Sequence, residues 1–105
     1  MEEFSIQYRG FTPANATKQF FQSLIRRIQD DAPDCSFIRA SFAHDQGEYK
    51  GIININSEAG RFLSFAQTAD PKELGVQLYE KLREQLNQWK TRRFMDEEVT
   101  HGQAQ

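Results

Sequence analysis

Leu74, Leu78, Leu82, Leu86 and Trp89 follow one another at steps of 4, 4, 4 and 3. At 3.6 residues per turn those steps hold all five side chains on one stripe, as an amphipathic helix requires. Asp70-Pro71-Lys72-Glu73 stands immediately before the stripe. Asp70 can cap the helix, Pro71 suits its first position, and Glu73 can close a capping box. The spacing predicts a helix of about 20 residues, roughly 30 Å long. Such a helix is apolar along one side and must lay that side on a second layer, which the rest of the chain has to supply.

The supply is a set of alternating segments. Phe4, Ile6 and Tyr8 alternate with Ser5, Gln7 and Arg9, which predicts a first strand. Cys35 to Ala43 predicts a second, with Ile38, Ala40 and Phe42 on one face and Phe37, Arg39 and Ser41 on the other. Tyr49 to Ser57 is a third, centred on Ile53 and Ile55, and Arg61 to Thr68 a fourth. In the fourth, Phe62, Ser64 and Ala66 oppose Leu63 and Phe65. His44-Asp45-Gln46-Gly47-Glu48 and Glu58-Ala59-Gly60 read as the hairpin connections. Between the first two strands, Phe20, Phe21, Leu24, Ile25 and Ile28 predict another helix, ending near Asp30. Its cap is either Thr12, with Pro13 at the first position, or Asn15.

The order is β-α-β-β-β-α. It implies an α+β, two-layer domain: a four-stranded sheet with both helices on one face. The first two strands are parallel and the hairpins antiparallel. A chain of 105 residues suits one domain. Residues 1–95 are assigned to it, and residues 96–105, where the apolar period stops, to a disordered acidic tail. The tail holds Asp96, Glu97 and Glu98 without Lys or Arg, and residues 1–3 hold two Glu. The net charge of −2 therefore conceals a body with 13 basic and 10 acidic residues. A mildly basic body permits nucleic-acid binding without requiring it.

Composition and motifs exclude several classes. No run approaches the ~18 apolar residues of a membrane helix, so no membrane partner is expected. The acidic start is not a secretory signal, and lone Cys35 can make neither an internal disulfide nor a Cys-rich zinc site. Cytoplasm is the expected compartment. There is no Gly-rich phosphate loop and no metal-ligand spacing, so neither cofactor nor metal is expected. His44 beside Asp45 is the nearest approach to a catalytic pair, and no nucleophile is placed to use it. The chain is not expected to be an enzyme.

Two surfaces remain. Basic residues border the apolar stripes: Arg26 and Arg27 on the first helix, and Lys81, Arg83, Lys90, Arg92 and Arg93 on and after the second. Helical phase puts Lys81 and Arg92 on one flank and Arg83 and Lys90 on the other. Phosphate neutralisation by such side chains dominates affinity for RNA. The alternative is a solvated helix face, with Trp89 closing the core. The second surface is the outer sheet face, where Phe37, Ile52, Leu63 and Phe65 point away from the helices. An antiparallel sheet with one wet face normally carries polar residues there. Four large apolar side chains imply a contact surface, either a homodimer interface or a base-stacking platform.

The order of elements, with particular residues, resembles the ribosome hibernation-promoting factors, also called ribosome-associated inhibitors, over Phe4 to about Arg93. Thr12-Pro13-Ala14 is similar to the family's entry into its first helix. Ile53-Asn54-Ile55-Asn56, a short turn with Gly60, and Arg61-Phe62-Leu63-Ser64-Phe65-Ala66 are similar to its last strand pair. Asp70 stands where the family caps its second helix, and Lys81-Leu82-Arg83-Glu84-Gln85-Leu86-Asn87 is the strongest local match. An acidic tail follows in some members. The resemblance implies a cofactor-free protein with a fold like that of double-stranded RNA-binding domains. It further implies binding to the small ribosomal subunit and its rRNA, near the tRNA sites, and repression of translation under stress or in stationary phase. Glu84 and Gln88 stand where the family usually has basic residues. They favour the alternative, a homodimeric interaction module of the same fold without ribosome binding.

Overall fold

The computed structural model describes residues 4–104, with side chains as far as Arg92. The chain runs β1 (Phe4–Arg9), α1 (Asn15–Asp31), β2 (Phe37–Asp45), β3 (Glu48–Ser57), β4 (Gly60–Thr68) and α2 (Pro71–Ala104). One sheet has the order β1-β2-β3-β4, with β1 parallel to β2 and the other pairs antiparallel. This is the expected α+β two-layer fold with both helices on one sheet face.

The apolar alternation sets which face the helices cover. Ile38 and Phe42 of β2, Ile53 and Ile55 of β3, and Phe62 and Ala66 of β4 are buried. Leu74, Leu78, Leu82 and Leu86 close over them from α2, and Phe21, Leu24, Ile25 and Ile28 from α1. Phe21 stacks on Phe42 with ring centres 4.0 Å apart, joining α1 to the sheet. Trp89 lies edge-on to Phe62 at 6.1 Å, at the margin of the core, as its helical phase requires. Gly51 sits under α2: a Cβ there would stand 2.7 Å from Leu78 Cδ1, so β3 gives up a side chain to let the helix approach.

Asp70 caps α2, accepting a hydrogen bond from the Glu73 N–H at 3.1 Å. The Glu73 carboxylate turns forward and accepts from Gln77 at 3.3 Å, so the expected capping box is not what fills this end. Four local expectations need correction. Neither Thr12 nor Asn15 caps α1. Ala14 is the extended cap residue, without a side-chain hydrogen bond, and its carbonyl accepts from Lys18 N–H. Strand β2 begins at Phe37 and not at Cys35, because Cys35 has φ of +63°, a left-handed conformation incompatible with a strand. His44 is not in a loop. It pairs with Tyr49 across β2 and β3, and Gln46-Gly47 alone makes the turn, with φ of +53° and +79°. Two positive φ values in a two-residue hairpin match the right-handed strand twist. Finally, α2 continues to Ala104, beyond the leucine stripe and through residues expected as a tail. Residues 96–104 contain no Pro, and extending an existing helix costs far less than starting one. We retain as a proposal that residues 1–95 form the folding unit and that the acidic residues beyond it add nothing to the core.

Candidate nucleic-acid interface

The helix-side cations are more heavily engaged than helical phase alone suggests. Lys81 lies along the β4 side of α2 and donates to the Phe65 carbonyl at 2.6 Å. One turn on, Gln85 makes a two-way contact with Leu63. Its Oε1 accepts from the Leu63 N–H at 3.1 Å, and its Nε2 donates to the Leu63 carbonyl at 2.6 Å. Strand β4 is an edge of the sheet. Gln85 and Lys81 therefore fill the backbone groups that a further strand would use. Lys90 pairs with Asp31 at the end of α1, at 3.3 Å, with both side chains nearly half exposed. The Arg27 guanidinium lies over the Tyr79 ring, 5.3 Å from its centre. Arg26 is exposed on α1.

Helical phase sets Arg83 and Arg92 on opposite flanks, yet both line one open groove along the outer side of α2. Glu80, Glu84, Asn87, Gln88 and Thr91 complete the described lining. Two carboxylates against two guanidinium groups make that groove electrostatically mixed. Arg93 lies outside the residues whose side chains are described.

The outer sheet face differs in character. Phe37, Ile52, Leu63 and Phe65 are 41–51 % exposed there, so the expected strand registers hold. Ile52 stands opposite Phe65, and Leu63 opposite Asn54. Sequence reading set Arg39 on this face beside Phe37 but did not follow Arg9, Lys50 and Arg61 there. Strand register places Arg39 beside Asn54, Arg61 beside Asn56 and Lys50 beside Ala43, while Arg9 of β1 stands beside Ala43 of β2. Arg39 lies over the Phe37 ring at 5.7 Å, and Arg61 donates to Asn56 Oδ1 at 3.1 Å. Arg9 and Lys50 have no ion-pair partner among the described residues. The signal was available: Arg39, Lys50 and Arg61 each stand two residues from an outward apolar side chain. Among the described strand residues Asp45 and Glu48 are the acids of this face, paired at the hairpin end, and Glu48 accepts from Gln67.

Nothing among the described residues resembles a catalytic centre. His44 packs against Tyr49 and Phe11, with ring centres 4.4 and 6.1 Å away. No group of three or more His, Cys, Asp or Glu in the described residues could hold a metal. No helix there is long and apolar enough to cross a membrane. Burial raises the pKa of Tyr8, whose hydroxyl has no hydrogen-bond partner among the described residues.

These features define a two-layer α+β protein with one helix-covered sheet face and one open, basic and aromatic face. No family model and no curated protein matches the sequence. Solved structures share the fold, among them the two that follow. A ribosomal subunit interface protein from Coxiella burnetii matches with a TM-score of 0.71 at 18 % identity, over 84 % of this chain and 97 % of that one. The N-terminal domain of Protein Y from Thermus thermophilus matches with a TM-score of 0.62 at 10 % identity, over 84 % and 96 %. The fold implied by the sequence resemblance is thus the fold observed.

Proposed function

We propose that this protein is a ribosome-associated factor of the hibernation-promoting type, a non-enzymatic cytoplasmic protein that binds the small subunit and its rRNA and represses translation. The observation that carries the reading is the match over nearly the full length of a ribosomal subunit interface protein. Independent support comes from the helix-two segment Lys81–Asn87 and from the basic body of the chain. Among the helix-side cations, Arg83 and Arg92 are the best phosphate contacts. Lys81 and Lys90 already hold protein partners, and Arg27 lies over Tyr79. Phosphate contacts make affinity fall steeply with salt. Sedimentation of the protein with purified ribosomes at two salt concentrations tests the proposal. Wild type should pellet at low salt and be released at high salt, and Arg83→Glu/Arg92→Glu should pellet less at both. Failure of the wild type to pellet at low salt overturns the reading.

A further inference from the structure

We infer that the outer sheet face is a second RNA surface, one that takes unpaired bases. This extends the ribosome reading and rests on it for the identity of the RNA. The face combines aromatic rings, Phe37 and Phe65, with four cations, Arg9, Arg39, Lys50 and Arg61. Rings and guanidinium planes stack on unpaired bases of any sequence, and cations track the strand that carries them. Rigid duplex RNA would not need exposed rings, because its bases are already stacked. From Phe37 to Phe65 the register steps two strands across and four residues along, a span of roughly 16 Å. At the ~3.4 Å rise of a stacked strand that length accommodates about five nucleotides.

Charge decides between RNA and a second copy of the chain. A stacked dimer would bury four cations per copy against a face with two acids among its described strand residues, both at the hairpin end. Glu48 of that pair already holds Gln67. A polyanion brings its own negative charge along its length and needs no acids on this face. The free edge of β4 offers no competing route for a partner strand, since Gln85 and Lys81 occupy its backbone groups at Leu63 and Phe65.

The test is fluorescence anisotropy of the full chain with a labelled single-stranded oligouridylate, beside ribosome sedimentation and analytical ultracentrifugation. Phe37→Leu/Phe65→Leu keeps the apolar volume and removes the π-faces. It should weaken oligonucleotide binding by about 5- to 100-fold with little change in salt dependence. Arg39→Gln/Lys50→Gln should lower the slope of log affinity against log salt by about 1.4, two contacts at ~0.7 each. Both pairs are exposed or half-exposed, so melting temperatures should match wild type, and that comparison guards against misfolding. Wild-type affinity in both variants overturns the inference. It also fails if wild type binds no oligonucleotide, or if it is a dimer that Phe65→Lys dissociates, which would assign the face to a second copy. Ribosome pelleting that survives unchanged in the sheet variants overturns this inference and leaves the proposed function standing. Oligonucleotide binding without ribosome pelleting overturns the proposed function instead.

Discussion

Replacing Gln85 by Ala should unlock the edge of the sheet. The Gln85 amide mimics the missing neighbour of β4, accepting from the Leu63 N–H and donating to the Leu63 carbonyl. Two intramolecular hydrogen bonds contribute about 0.5–1.5 kcal/mol each in net terms. Water can reach this edge in the variant, and the freed helix position regains rotamer entropy, so the lower end applies. The expected loss is about 1 kcal/mol, or ~4–8 °C in melting temperature for a domain of this size. Gln85→Glu sharpens the argument. A carboxylate can still accept from Leu63 N–H but cannot donate to the Leu63 carbonyl, and it sets two acceptors against each other. It should cost at least as much as Ala. An open edge also invites strand pairing between molecules. Thermal denaturation at two protein concentrations, with sedimentation velocity on the same samples, reads both effects. If Gln85→Glu melts with the wild type and stays as monodisperse, the two-way contact does not hold the edge.

Asp70→Ala removes the α2 cap and should cost ~1 kcal/mol, seen as a shift in the urea midpoint without a change in slope. Tyr8→Phe should be neutral or stabilising at pH 7, because it deletes a buried hydroxyl without a partner. Burial raises the Tyr8 pKa, so its folded form holds the proton where the unfolded form releases it. The related stability is complete below the unfolded pKa, ~10, and is lost as pH rises through the folded value; Tyr8→Phe should flatten that alkaline decline in pH-dependent melting. Gly51→Val should destabilise severely, since a Cβ already meets Leu78 at 2.7 Å, and a soluble, wild-type-like variant would contradict the packing of α2. Truncation after Met95 should leave the melting temperature nearly unchanged, and a drop of many degrees would place residues 96–105 within the folding unit.

The long-range architecture was legible because it rests on periodicity. Leu74 to Leu86 fix the inward side of α2, and Phe62 against Leu63 fixes the two sides of β4, whatever the exact ends of either element. Asp70 was legible because its cap is local, three residues from its donor. Cys35 and Gln46 were not, because a left-handed backbone at a residue other than Gly reflects the surrounding chain path more than that residue's own preference. The fate of Lys81 was hidden for a different reason. Helical phase gives the direction of a side chain, but its acceptor is a carbonyl sixteen positions earlier in sequence, exposed only because β4 is an edge. Lys50 and Arg61 could have been found as Arg39 was. Alternation places each beside an apolar side chain already assigned to the outer face, and that step was carried through for β2 alone.

Sedimentation with separated ribosomal subunits tests the central claim most directly. The protein should pellet saturably with isolated small subunits at low salt, near one copy per subunit, and only weakly with large subunits. Equal recovery with both subunits, or none with either, would contradict it.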